Sequence, residues 1–237
     1  MRSVKVVTAY VPLDVKHLSP EQYKEYGDRL AAAIPDNIRR YDDYPLSACW
    51  LYQWLLDHDF IDFPPATAVP SDRYETPRHM VNSNIVQHQR TSWMRMAMEE
   101  DPKVDVLVWL DYAILKQGAF TGKPVTEQHV ADFVRRVGEA EFDDIPFPGI
   151  WPQQPISIDG DNWRFVGSTH IIPRQHLPLV DDFYRYECRK FIMEHQTIPL
   201  DLPIWAAVEQ NTTLPFVQYP ANHDATQLTN FPRGPYD

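Results

Sequence analysis

The chain has 237 residues, 43% of them hydrophobic and 23% charged, a formal net charge of -11, and 22 prolines against 8 glycines. Such a composition suits one globular α/β domain over residues 1–237 and excludes a disordered chain. The acidic balance argues against a protein built to grip nucleic-acid phosphates, and few glycines, with no GxGxxG or GxxxxGK[ST], argue against a phosphate-cradling loop.

In chain order, Val4–Val11 (VKVVTAYV) is β-branched and almost continuously apolar, which predicts a strand buried on both faces of a parallel sheet. Its apolar run is too short for a signal segment. Ser19-Pro20-Glu21 opens a helix that stops before Pro35. Asn37–Tyr41 reads as a short strand, and Leu46–Asp57 as a densely apolar helix. The prolines of residues 60–80 predict a loop, and Asn84–Glu100 one long helix ended by Asp101-Pro102. Val104–Leu110 is the second clear buried strand, and Asp111 closes it. A helix over Thr126–Val137, a proline-rich irregular stretch over 140–162, and a strand over Trp163–Ile172 interrupted by Gly167 follow. The reading ends with a long helix over 175–196, a short helix Leu202–Gln210 with Asp201 as its N-cap, and a last strand Phe216–Tyr219.

This alternation predicts an open, mostly parallel sheet flanked by helices. Ligands in such sheets bind outside the carboxyl ends of the strands, which directs attention to Thr8–Tyr10, Asp111 and Gly167–Thr169. No run approaches the ~18 apolar residues of a membrane span. The two cysteines, Cys49 and Cys188, fit no CxxC or secreted disulfide pattern. A soluble, cytoplasmic protein is therefore expected.

Several residues carry chemistry in this frame. Asp111 is either a site carboxylate or a turn residue where the strand leaves the core. Arg90 and Arg95 lie ~140° apart on a helix, so one of them faces the site. Arg90, near Gln87 and Trp93, is the better candidate. Glu209, at the end of an apolar helix, is a general base for an acceptor hydroxyl or an exposed helix end. A glycine in a strand, as at Gly167, suggests close approach of a ligand or another backbone. Ser168, Thr169 and His170 add hydrogen-bonding side chains of the kind a sugar needs. Trp151 and Trp163 are either stacking platforms or core.

Four segments together resemble the GT-A class of nucleotide-sugar glycosyltransferases. They are VVTAY, the helix RTSWMRMAMEE leading into VDVLVWLDYAI, WRFVGSTHIIPR, and IWAAVEQNTTLPFVQYPANHD. The similarity spans about residues 4–230 and is nearest to small bacterial and viral enzymes of the HtrL/YibB kind. It implies transfer of a hexosyl or pentosyl unit from a nucleoside-diphosphate sugar, a UDP-sugar first, to a hydroxyl acceptor. Thr8, Ala9, Tyr10, Arg90 and Asp111 would bind the donor, and Gly167, Ser168, Thr169 and His170 the sugar and acceptor. Asp111 and Glu209 would be catalytic. A divalent cation, Mn²⁺ or Mg²⁺, would sit on Asp111 and His223, with Asp224 as a substitute for either.

The sequence departs from the family's Asp-x-Asp, reading Asp111-Tyr112-Ala113. Either one carboxylate with substrate phosphates holds the cation, or an arginine neutralises the diphosphate without metal. A two-metal hydrolase or nucleotidyltransferase would need further carboxylates near Asp111, and Asp105 lies at the wrong end of the strand. A catalytically degenerate sugar- or nucleotide-binding module is the other reading. The acceptor is open among a glycan, a protein and a modified nucleobase. The last would need a local basic patch, for which Arg73, Arg78, Arg135 and Arg136 are the candidates.

Overall fold

The computed structural model describes residues 1–13, 19–66, 76–119, 121–153 and 164–232. Strand β1 (Val4–Ala9) is central. It pairs in parallel with β2 (Ile38–Tyr41) on one side and β3 (Val106–Leu110) on the other. The strand β5 (Thr169–Pro173) runs antiparallel along β3, giving the order β2-β1-β3-β5. Beyond β5 lies a second, two-stranded parallel sheet, β4 (Ile145–Gly149) with β6 (Phe216–Pro220).

The continuous apolar runs of β1 and β3 have the cause expected of them: each strand feeds two cores. Val4, Val6, Val106, Val108 and Leu110 point into one. Val7, Ala9, Leu107 and Trp109 point into the other. The first is closed by α1 (Pro20–Ala33) and α5 (Glu127–Glu139), through Leu30, Val130, Phe133 and Val137. The second is closed by α2 (Trp50–Asp57), α3 (Pro77–Gln87), α4 (Arg90–Glu100), α6 (Leu177–His195) and α7 (Asp201–Asn211). Each fully buried aliphatic or phenyl side chain contributes ~1.5–3 kcal/mol. The first helix begins as its sequence predicts, with a capping box between Ser19 and Gln22, and α5 is capped by Thr126. No described helix is long and apolar enough to cross a membrane.

Four sequence expectations change. The long helix over Asn84–Glu100 is two helices, α3 and α4, and α3 starts inside the expected loop. The break at His88-Gln89 is tertiary in origin. The buried His88 ring bonds the Tyr184 hydroxyl (2.8 Å) and the Pro199 carbonyl (3.0 Å), while the Gln89 side chain accepts the Trp50 N–H (2.8 Å). The helix over Leu46–Asp57 is likewise interrupted at Cys49, after a short 3₁₀ turn over Leu46–Ala48.

The proline-rich stretch contains β4, read IPFPG. Ile145 donates its N–H towards β6, to Pro215 (2.7 Å), whereas the Pro148 carbonyl faces the other way and accepts from Val166 (2.7 Å). Pro146 and Pro148 therefore remove the donors that β4 would offer to β5. That is why the sheet divides there into four strands and two. Finally, the strand over Trp163–Ile172 starts only at Thr169. Trp163 lies outside the described residues.

Candidate functional site

The strand directions bring five segments to one edge. Leu110, at the carboxyl end of β3, pairs with Thr169 at the start of β5. The Gly149 carbonyl, ending β4, accepts from Ala221 just after β6 (2.9 Å). Tyr10, Asp111, Gly149–Trp151, Gly167–Thr169 and Ala221–Asp224 therefore share the edge where an open α/β sheet binds its ligands.

At its centre stands Arg90, at the first position of α4. Its Nη1 donates to Oδ2 of Asp201, and its Nη2 lies 3.1 Å from Oδ1 of Asp111. The Trp109 indole N–H donates to the same Asp111 oxygen (2.8 Å), and its ring is stacked on Trp93. Asp111 is thus fixed through Oδ1 alone. Oδ2 has no partner among the described residues, and the side chain is 30% exposed. Arg90 and Asp201 are buried. Burial opposes the charge on Arg90, yet Asp111 and Asp201 hold its pKa above the ordinary arginine value. Burial also raises the Asp201 carboxyl, against the pull of Arg90. Asp201 is the first residue of α7 and not its N-cap, which is Leu200.

Gly167 is closely packed here. A Cβ at that position would sit 3.0 Å from Asp201 Oδ2 and 3.3 Å from Arg90 Nη1. Its neighbours are not open to a ligand. The Ser168 and Thr169 hydroxyls both donate to Oε1 of the buried Gln227 (2.7 Å each), and Gln227 donates to Gln117 (2.7 Å). His170 is buried against Phe147 and Trp205, and burial, then Arg90, drives its pKa well below the ordinary value. The expected sugar-lining role of Ser168, Thr169 and His170 is corrected accordingly: they sit beneath the edge because β5 is covered on both faces.

At the end of β1, Thr8 and Ala9 are buried within the sheet and Tyr10 reaches the surface. The Tyr10 ring packs on Tyr23 and on Tyr112, each with centroids 5.4 Å apart. Arg40, opposite Thr8 on β2, donates to the Tyr112 hydroxyl (2.6 Å) and pairs with Asp28 (2.8 Å) and Asp42 (2.9 Å). Tyr112 is wedged against α1, where a Cβ on Gly27 would lie 2.2 Å from its ring.

Glu209 is not the free carboxylate expected of a base. Arg164 clamps it with Nε (2.9 Å to Oε2) and Nη2 (2.5 Å to Oε1), and also donates to Gln218. Two guanidinium nitrogens of one arginine thus engage both oxygens of the carboxylate. Gln218 in turn donates to the Trp151 carbonyl (2.8 Å), while the Trp151 ring stays exposed.

The loop after β6 is folded by Asp224, which accepts the Thr226 N–H (2.8 Å) and hydroxyl. Burial of Asp224 is outweighed by these bonds and by Lys123, so its pKa is lowered. Asp224 is thus engaged through Oδ1. His223 is half-buried beside it, with its backbone N–H on the Asn222 side chain (2.7 Å). The Ser168 carbonyl accepts the Asp111 N–H (3.0 Å) while its hydroxyl reaches Gln227, four residues beyond His223. No group of three or more His, Cys, Asp or Glu among the described residues is arranged to hold a metal ion.

Other candidates lie elsewhere. Arg95 pairs with Asp182 (3.0 Å), Asp181 and Glu99. Asp105 accepts from Ser3 at the amino end of the sheet. The conjectured basic patch does not assemble: Arg78 is on α3 and Arg135 and Arg136 are on α5, helices that cover opposite faces, and Arg73 lies outside the described residues. A cavity of about 1120 Å³ opens at the amino end, among Arg2, Asp105, Glu139, Asp143 and Arg174. It lies at the opposite end of the strands from Asp111.

Sequence reasoning missed Asp201, Trp109, Arg40 and Gln227. An acid opening an apolar helix and an indole two residues before Asp111 were the available signals.

No protein-family model matches the chain, and no curated protein matches it. Among solved structures, it is similar to one titled "Crystal structure of a glycosyltransferase involved in the glycosylation of the major capsid of PBCV-1". The identity is 10%, over 92% of this chain and 81% of that chain, with a TM-score of 0.48. Likeness of this degree does not decide an activity, which has to be argued from the edge itself.

Proposed function

We propose that the chain is a glycosyltransferase of the small bacterial and viral type, using a nucleoside-diphosphate sugar with a divalent cation. One observation carries the reading: Arg90, anchored on buried Asp201, holds Asp111 by Oδ1 and leaves Oδ2 free at the carboxyl edge. The charge balance favours a cation over the metal-free alternative. Arg90 already answers two carboxylates, so a diphosphate placed beside it alone would meet no surplus positive charge.

Mn²⁺ or Mg²⁺, held by Asp111 with His223 and the substrate phosphates, would supply that charge. Asp111, kept in place by Trp109 and Arg90, orients the donor. Tyr10, with Tyr23 and Tyr112 behind it, offers the base an aromatic face. Trp151, exposed at the end of β4, is the surface on which the acceptor's ring would pack. A UDP-sugar is the first donor to try. The clamped Glu209 favours the second reading, a sugar- or nucleotide-binding module without turnover.

Thermal unfolding with UDP, GDP, CMP and TDP, each with and without Mn²⁺, tests both readings. Ligand binding to the folded state raises stability by ≈ 2.7 kcal/mol at ~100-fold excess over Kd. A shift with one nucleotide that grows with Mn²⁺, joined to release of that nucleotide from its sugar, supports the transferase. A shift without any release supports the module. No shift with any nucleotide refutes the transferase and leaves the module as a binder of sugars alone.

A further inference from the structure

We infer that α6 is the contact surface of a homodimer, in which two copies of the chain pair antiparallel about a two-fold axis at Tyr186. This rests on the helix itself and is independent of the proposed activity.

Eight large hydrophobic side chains stand out as exposed among the described residues, and four of them lie on this one helix: Leu179, Phe183, Tyr186 and Met193, at 39–62% exposure. At ~100° per residue they fall within ~80° of arc, so they form one stripe. The opposite side of α6 is fully used by the core, through Val180, Tyr184, Cys188, Phe191 and Ile192. An apolar stripe on a surface helix is a face in search of a partner.

The spacing selects a second copy and its direction. Leu179 precedes Tyr186 by seven residues and Met193 follows it by seven. Each therefore stands ~10.5 Å from Tyr186 along the axis, at ~1.5 Å per residue. Asp182 precedes Tyr186 by four residues and Lys190 follows it by four. Antiparallel pairing about Tyr186 places Leu179 on the second copy's Met193, Tyr186 on Tyr186, and Asp182 on the second copy's Lys190, each contact occurring twice. Such self-complementarity is what a two-fold interface requires. A parallel arrangement would set Asp182 against Asp182 and Lys190 against Lys190, which is repulsive. Asp182 and Lys190 keep their own-chain partners, Arg95 (3.0 Å) and Glu187 (3.7 Å). Both charges remain at the surface and extend these pairs across the axis.

One helix face per copy is narrower than the ~800 Å² per partner of a standard interface, so the pairing depends on concentration. Sedimentation or light scattering of the full chain over about 1–200 μM covers the range expected of it. The mass is expected to rise from 27.7 kDa towards twice that value. Tyr186→Asp, at an exposed position, sets two carboxylates on the axis and is expected to give the single-chain mass throughout, with thermal unfolding unchanged at concentrations where the parent is a single chain. Asp182→Lys and Lys190→Asp are each expected to weaken association about five- to tenfold, and the double variant to restore it. A single-chain mass at every concentration overturns the inference, whatever else the stripe then binds. So does a dimer that survives Tyr186→Asp. Two weakened single variants without restoration in the double overturn the antiparallel register.

Discussion

Arg90 and Arg164 both hold a carboxylate of α7, one at each end of that helix, and they do so in opposite ways. Arg164 closes on Glu209 with two nitrogens, and both partners are buried to about nine-tenths. Both oxygens of Glu209 are engaged. Arg90 divides itself between Asp201, which is buried, and Asp111, which reaches the surface. Its inner bond anchors it, and its outer bond positions a carboxylate that keeps one oxygen free. The same pair of residue types thus makes a closed clamp in one place and an outward-facing carboxylate in the other.

The largest effect expected from breaking this contrast is on Arg90. Arg90→Ala leaves Asp201 buried without its partner, a loss of ~3–5 kcal/mol in urea unfolding. A cost below ~1 kcal/mol would mean that Asp201 is not anchored there. Asp111→Asn comes next. On the proposed chemistry it lowers turnover by ~10²–10³-fold, read as nucleotide release from the sugar donor, while unfolding free energy stays within ~1 kcal/mol of the parent. Equal losses of stability and turnover would make Asp111 a structural residue like Glu209.

A third effect follows from His88, two residues before Arg90. Burial, helped by the charge of Arg90, lowers its pKa from 6.5 to about 4. Between those values the unfolded chain binds a proton that the folded chain does not, so stability falls as pH falls through that window. The loss is about 3 kcal/mol on reaching pH 4. His88→Asn is expected to flatten this part of the pH–stability curve, measured by urea titration between pH 7 and 4.5; an unchanged slope would assign it to other groups. The smallest effect separates the two arginines most directly. Glu209→Gln costs ~1–3 kcal/mol of stability, with kcat within about threefold of the parent, a change of under ~1 kcal/mol in barrier. A kcat loss comparable to that of Asp111→Asn would restore Glu209 as a catalytic group.

What was legible in the sequence follows a physical divide. Strands β1 and β3 were legible because burial on both faces leaves continuous apolar runs, and α1 because its cap is local. The placement of Asp111 at a strand end, with Arg90 and not Arg95 turned towards it, was legible from strand ends and helical phase. Strand β4 was not, since prolines that read as a loop are tolerated where a strand turns its donorless edge to a neighbour. The break at His88-Gln89 was hidden because its bonds reach Tyr184 and Pro199, about a hundred residues away. Asp201 resembled a helix cap, and its partner is 111 residues distant. Ser168 and Thr169 resembled sugar ligands because short polar side chains at a strand end look alike whether a sugar or a buried glutamine receives them.

Tyr112 fills the volume that any side chain at Gly27 would need. Inside α1 a glycine costs ~1 kcal/mol against alanine, so it is retained there for the ring and for no benefit to the helix. The two positions therefore share one volume. A chain with a small residue at 112 is released to place alanine at 27, and one that keeps the tyrosine is not. Relatives of this chain should accordingly show the two positions changing together, a small residue at 112 travelling with a non-glycine at 27.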